Sequence, residues 1–365
     1  LKLFWPQNHQ GSQGFFLHSS CPTIVAMKAI ICTGKGGPET LSESTLPEPE
    51  LREHDVLVDL KAAAVNPVDG KVREGLAGDH TRVLGYDGCG VVAKVGSAVT
   101  SLKVGDEVMF AGDVYRNGTF AEKIAVDSRI CGRKPKSLDW TSSSSIPLVN
   151  ITAWELLFEN LRLPTDGSGK DLVFMMLNGA GGVGSAAIQL AKHVMGCTTI
   201  VATASRPETE EWCKKLGATH VISHRKDLGE ELTRVGLNPE GIDVCFCGVD
   251  LDTAFDQIVK VMRPGGAIGS ITVHDPTKVD VSKLFAPKRL TLSFEFMFMR
   301  PALQIAPEKQ GALLNKVADM VDAGTIKDIT CTRFEGLSLK TCQDSQTLQD
   351  SGKAIGKIAI DFGKP

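Results

Sequence analysis

Two rhythms of apolar positions divide the chain. From Met27 to about Pro147 the apolar residues fall in short runs, Lys28–Ile31, Asp55–Leu60, Gly90–Val95 and Asp106–Phe110, each bounded by glycine, proline or aspartate. Runs of that length closed by turn formers predict strands and a compact β-rich lobe. After Ile151 strand-like runs alternate with stretches of helical spacing. The series predicts a helix over Trp154–Leu161, a strand over Leu172–Leu177, a glycine turn and a helix over Ser185–Met195. A strand over Thr199–Ala204, a helix over Glu208–Leu216 and strands over His220–Ile222 and Asp243–Cys247 follow. A helix over Thr253–Met262, a turn at Arg263–Gly266 and strands over Ile268–Thr272 and Leu290–Met297 complete it. Such alternation calls for right-handed crossovers and a parallel, doubly wound sheet. A last helix over Gln310–Ala323 and a strand over Lys357–Ile360, expected to return to the first lobe, end the pattern. The fold class is therefore α/β: a β-rich domain over 27–149, a doubly wound domain over 150–298, and a closing part of the first domain over 299–365.

Length agrees with two lobes and a cleft, since 365 residues exceed one typical core. The formal net charge of −3 gives no strong field toward nucleic acid, and no apolar run approaches a membrane span. Ten cysteines are scattered without any Cys-x-x-Cys spacing, which favours reduced thiols and a cytoplasmic setting. Residues 1–26 contain no acid and precede the first alternating run at Met27. They read as a leader or extension outside the fold, with an organelle presequence as one reading.

The most informative stretch is Asn178-Gly-Ala-Gly-Gly-Val-Gly184. Gly179, Gly181 and Gly184 satisfy G-x-G-x-x-G, with an apolar strand running in and an amphipathic helix running out, and Gly182 and Val183 within the loop are expected to contact the cofactor as well. Gly179 is expected to make the tight turn, Gly181 to let a pyrophosphate approach, and Gly184 to bring helix against strand. Cofactor choice is read at the end of the next strand, where Thr203-Ala-Ser-Arg206 carries no acid. Ser205 and Arg206 suit the 2′-phosphate of NADPH; the other reading has Ser205 capping the next helix and Arg206 in solvent. His224 lies beside the adenine or is an ordinary loop histidine.

With that loop in place, the chain resembles the medium-chain dehydrogenase/reductase superfamily, its quinone oxidoreductase branch, and most closely proteins called zinc-type alcohol dehydrogenase-like. The matching stretches include Ala64-Val-Asn-Pro-Val-Asp69, Leu84-Gly-Tyr-Asp-Gly-Cys-Gly90, Val104-Gly-Asp-Glu-Val108, Gly118-Thr-Phe-Ala-Glu122, Ile151-Thr-Ala-Trp154 and Gly356-Lys-Ile358. The resemblance implies a GroES-like catalytic domain and a Rossmann domain. The positions of the zinc ligands in such relatives fall on Asn66 and Tyr86, with no thiol near Asn150, so no metal is expected. Asp87 is then structural.

The resemblance also implies a nicotinamide between the lobes, held by Thr152, Thr272, Val273 and Lys71. Asn66 and Tyr86 become candidates for hydrogen bonding the acceptor oxygen; the alternatives are a pocket wall for Tyr86 and an orienting role for Asn66. Lys357 reaches a cofactor phosphate or is solvated. Without a Lewis acid the small-molecule acceptor is expected to be a quinone or a conjugated carbonyl. Rival readings are an enone or enal double-bond reductase, a non-catalytic NADPH-binding protein, and a zinc alcohol dehydrogenase. The apolar run Arg289–Phe298 closes the parallel sheet, and such an edge invites pairing with a second copy, so a homodimer is expected.

Overall fold

The computed structural model describes residues 26–78, 80–284 and 288–363. The expectation for residues 1–26 lies, apart from Ala26, outside the described residues.

The early apolar runs become strands β1 (Ala26–Thr33), β2 (Leu41–Pro47), β3 (Asp55–Val65), β4 (Thr81–Val83), β5 (Gly88–Val95), β6 (Glu107–Phe110), β7 (Lys123–Asp127) and β8 (Gly132–Arg133). The later ones become β9 (Val173–Leu177), β10 (Thr199–Thr203), β11 (His220–Ile222), β12 (Ile242–Cys247), β13 (Met262–Ser270), β14 (Thr291–Phe294), β15 (Thr330–Glu335) and β16 (Lys357–Asp361). Helices are α1 (Pro67–Gly75), α2 (Trp140–Ser144), α3 (Pro147–Trp154), α4 (Gly182–Leu190), α5 (Pro207–Leu216), α6 (Leu228–Arg234), α7 (Leu251–Val261), α8 (Met299–Leu303), α9 (Glu308–Asp322) and α10 (Leu339–Asp350).

The β-rich lobe holds a three-stranded sheet, β2-β1-β4, and a seven-stranded one ordered β15-β16-β3-β5-β6-β8, with β7 also on β3. Strand β3 is its spine: it pairs with β5, β7 and β16, and nine of its residues are buried. The long return of the C-terminal segment is thus part of this sheet, because β16 runs antiparallel to β3.

The second lobe is a six-stranded sheet, β11-β10-β9-β12-β13-β14, with every neighbouring pair parallel. Its inner strands are almost wholly buried, as expected when helices cover both faces. Strand β9 comes first in sequence yet lies in the middle, so the winding reverses between β9 and β12. The crevice beyond the carboxyl ends of those two strands is where such sheets bind ligands. Here the crevice is opened by Asn178 after β9 and Gly248 after β12, joined where the Gly248 N–H donates to the Leu177 carbonyl.

Several elements depart from the pattern reading. Helix α3 begins at Pro147, before the expected start at Trp154, and continues as a wider turn over Glu155–Asn160. The expected turn at Arg263–Gly266 lies inside β13, whose pairing with β12 shifts register between Ile242 and Val244. Helix α10 was not expected at all: its sequence is mostly polar and buries Cys342, Ser345 and Gln346, so no apolar stripe marks it. Among the described residues no helix is long and apolar enough to cross a membrane.

Candidate functional site

Between the lobes lies a cleft of about 270 Å³. One wall comes from the start of α1 and from α3, with Asn66, Lys71 and Thr152. The facing wall is the glycine loop and first turn of α4, and the stretch Glu295–Phe298 after β14 closes one side. Lys357 and Gly356 enter from the start of β16, where the Gly356 N–H donates to the Ala180 carbonyl at 2.8 Å.

The glycine loop divides its labour differently from the expectation. The left-handed turn is made by Asn178, at φ 65°, and not by Gly179. Asparagine tolerates that region better than most side chains, and its N–H is held by the Thr203 hydroxyl at 2.9 Å. Gly179 is needed for packing instead, since a Cβ there would sit 2.8 Å from the Ala202 Cβ and 3.0 Å from the Cys213 sulfur. Gly184 brings helix against strand: a Cβ would lie 2.3 Å from the Asn178 carbonyl oxygen. Gly181 lines the cleft with main chain alone, and a Cβ there would come 3.2 Å from the Asn178 side-chain amide nitrogen. It is also the N-cap of α4 and supplies no side-chain cap. A helix start left uncapped and lining a cleft suits an anion. Gly182 lies under the stem of Lys357, whose Cδ would be 2.9 Å from an added Cβ.

At the other end, α1 opens on Asn66-Pro67-Val68-Asp69. The Asp69 carboxylate reaches back to the Asn66 N–H at 2.7 Å and accepts the Gly85 N–H at 3.1 Å. The Asn66 amide donates to Asp87 at 2.8 Å, and its oxygen accepts from the Lys357 ammonium at 2.6 Å. Lys357 also donates to the Val65 carbonyl at 2.8 Å and to Asp87 at 3.0 Å; the other Asp87 oxygen takes the Leu148 N–H at 2.8 Å. Lys357 is 3 % exposed, which overturns the reading of it as solvated; a contact with a cofactor phosphate would require it to leave this nest. Burial raises the Asp87 carboxyl, against the pull of Lys357, Asn66 and the Leu148 N–H. Burial also raises Asp69, to about 7, although the Asn66 and Gly85 N–H groups and Lys357 oppose it.

Tyr86 is not brought to the cleft wall. It is fully buried, its hydroxyl points to the Val114 carbonyl at 3.5 Å, and its ring meets Phe298 edge-on at 5.6 Å. Burial pushes its hydroxyl above the ordinary tyrosine value.

These side chains also decide whether a zinc ion fits. A zinc ion needs a converging set of thiolate, imidazole or carboxylate donors. At the positions discussed for zinc the chain presents an amide and a buried phenol, and a lysine ammonium sits among them. Asn150 is turned away, donating to the Ile146 carbonyl at 2.8 Å. Among the described residues no group of three His, Cys, Asp or Glu side chains is arranged to hold a metal ion. The residues do not fit the metal.

Of the remaining candidates Lys71 and Thr152 line the cleft, and the others lie beside or beyond it. Lys71 crosses it, donating to the Thr272 hydroxyl at 2.9 Å, which in turn donates to Asp250 at 2.9 Å. Val273 packs against the core of the parallel-sheet lobe and does not line the cleft. Ser205 and Arg206 follow β10, beyond the glycine loop. The Arg206 guanidinium is held by the Lys353 carbonyl at 3.0 Å and by Glu208 at 3.2 Å. His224 is exposed after β11. The pattern reading missed Asn178, Asp69 and the acids Glu155 and Glu295. The Asn66–Asp69 spacing was a readable capping signal; an acid set among aromatics in Phe294-Glu295-Phe296 was another.

Comparison with known proteins finds relatives for both lobes. The alcohol dehydrogenase GroES-like domain family matches residues 52–136, and the zinc-binding dehydrogenase family matches 182–306. A zinc-type alcohol dehydrogenase-like protein of Staphylococcus aureus is 34% identical, across 88% of this chain and 94% of its own length. The chloroplastic NADPH-dependent alkenal/one oxidoreductase of Arabidopsis thaliana is 40% identical, across 92% of this chain and 79% of its own. A crystal structure from Rhizobium etli, provisionally named a zinc-dependent alcohol dehydrogenase, superimposes with a TM-score of 0.85 at 38% identity, covering 93% of this chain and 99% of that one.

Proposed function

The chain belongs to the medium-chain dehydrogenase/reductase superfamily, and from that premise we propose that it is a zinc-independent reductase that uses NADPH to reduce a conjugated carbonyl or a quinone. The dinucleotide, when bound, supplies the hydride. The chain's part is to hold it, orient the acceptor and stabilise the oxygen on which charge develops. The first turn of α4, with Gly181 bare, takes the phosphates; Ser205 and Arg206 take the 2′-phosphate once Arg206 leaves the Lys353 carbonyl. Lys71, Thr152 and Thr272 frame the nicotinamide end.

The observation that carries the reading is the Lys357 ammonium buried between Asn66 and Asp87. It puts a positive charge beside the cleft and repels a metal cation from the same place. The Asn66 amide keeps one N–H with only a 3.5 Å contact to the Ala64 carbonyl, so Asn66, rather than Tyr86, is the donor to the acceptor oxygen. A conjugated carbonyl is placed ahead of a quinone because a 40% identical relative is named for alkenals and enones. The further proposals are a homodimer through the outer edge of β14, where Phe294 and Phe296 are about half exposed, a cytoplasmic setting, and domain limits near 149 and 298.

The test is NADPH consumption against enones, enals and quinones with product identification, alongside metal analysis of the purified protein. Turnover untouched by chelators is expected. Stoichiometric zinc with chelator-sensitive alcohol oxidation would restore a zinc dehydrogenase, and NADPH binding with no transfer to any acceptor would favour a non-catalytic protein.

A further inference from the structure

Hydride transfer to a conjugated carbonyl leaves an enolate that must gain a proton, and nothing so far assigned to the cleft provides one. Glu295 lies at the cleft wall just after β14 and is 7 % exposed, whereas Phe294 and Phe296 on either side are open. Its Oε1 is buried with no donor in reach. The groups around it come from three elements. Glu155 and Glu159 lie on the turn that continues α3, Arg300 on α8 and Gln310 on α9. Arg300 spends its guanidinium on the other two acids, with Nε to Glu155 at 2.9 Å and Nη2 to Glu159. Gln310 donates to Glu155 at 3.3 Å and to the Met297 carbonyl at 2.6 Å. Three carboxyl groups therefore lie near one guanidinium, which bonds Glu155 and Glu159 and gives Glu295 no donor.

A buried carboxylate with no partner is strongly disfavoured, and a proton on Glu295 shared with Glu155 removes the conflict. Burial first, and the Glu155 charge second, hold the Glu295 carboxyl well above the ordinary range. We propose that Glu295 is the acid that protonates the product of hydride transfer, an assignment that rests on the reductase reading above. The hydride adds to the β-carbon of the enone, the C=C π pair moves to the enolate, and the dinucleotide is left oxidised. The Glu295 O–H bond breaks as its proton goes to the α-carbon, giving a saturated carbonyl and a Glu295 carboxylate. That carboxylate stands beside Glu155 and regains a proton from solvent once the product leaves.

Glu295→Gln is the primary test: the amide keeps shape and neutrality and can still donate to Glu155, but it has no acidic proton. A fall in kcat of roughly 100-fold or more is expected, with the NADPH dissociation constant within about threefold of the parent. Infrared spectra of the ligand-free protein at about pH 8 are expected to show a protonated-carboxyl band that is lost in Glu295→Gln and kept in Asp69→Asn and Asp87→Asn, since an ordinary glutamic acid is fully ionised there. Glu155→Gln, which removes the neighbouring charge, is expected to move the alkaline limb of the kcat profile to lower pH. Retention of kcat within about tenfold in Glu295→Gln, absence of the infrared band in the parent, or an unmoved limb in Glu155→Gln each overturns the assignment. Should the parent protein reduce no acceptor at all, the reductase reading fails while the band still reports on Glu295.

Discussion

At the parallel-sheet end of the cleft the wall is main chain; at the β-rich end a knot of charged side chains lies buried behind the wall. The glycine loop works by what it leaves out, with close approaches at Gly179 and Gly184 and a bare face at Gly181. Asn66, Asp69, Asp87 and Lys357 work by mutual compensation, two carboxyl groups against one ammonium with an amide between them. A backbone site can fail one contact at a time. A compensated knot fails when any member goes, because the rest are left charged and buried.

Lys357→Met tests this difference most severely. It strands Asp87, and a loss of roughly 3–5 kcal/mol in unfolding free energy is expected, largely recovered in the double variant with Asp87→Asn; an additive double variant would show that the two do not compensate.

The pH dependence comes next. Asp69 is harder to ionise in the fold, about 7 against an ordinary 3.8, so the fold binds its proton more tightly than the unfolded chain does. Its contribution is therefore complete below pH 3.8 and is lost as pH rises through about 7. Over that window the loss is on the order of 4 kcal/mol, and a chemical-denaturation series should show a flatter pH slope in Asp69→Asn.

At the other end Gly184→Ala drives a methyl into the Asn178 carbonyl. It is expected to cost about 1–3 kcal/mol and to weaken NADPH binding, read by thermal melting and fluorescence titration. The smallest effect is expected from Arg206→Ala, roughly tenfold weaker NADPH binding with NADH unchanged, about 1.4 kcal/mol. Equal effects on both dinucleotides would break the assignment of Arg206 to the 2′-phosphate.

The same contrast explains what could be read from the sequence. Strand, glycine spacing and helix are adjacent in the chain, so the loop and the parallel sheet were legible from local pattern. Even there the turn fell to Asn178 rather than Gly179, since spacing does not report φ. The knot was not legible: Lys357 and Asn66 are 291 residues apart, and no local rhythm says that they meet. Tyr86 was misjudged for a related reason, because its neighbours identify a strand edge but not the direction of a hydroxyl. Helix α10 was hidden by its polar faces, although it anchors the buried Arg73 through Gln346 and Asp350.

The placing of β16 has a consequence for how the molecule is made. The last four residues of β3, Ala62–Val65, pair with β16, and the ammonium that answers Asp87 is the first residue of that strand. A ribosome adding about 5–20 residues per second needs roughly 15 to 60 s to travel from Asn66 to Lys357. Through that interval the early lobe carries an open sheet edge and an unanswered acid, a state suited to capture by chaperones. A chain cut before Lys357 lacks both the pairing strand and the ammonium, and leaves Ala62–Val65 and Asp87 without them.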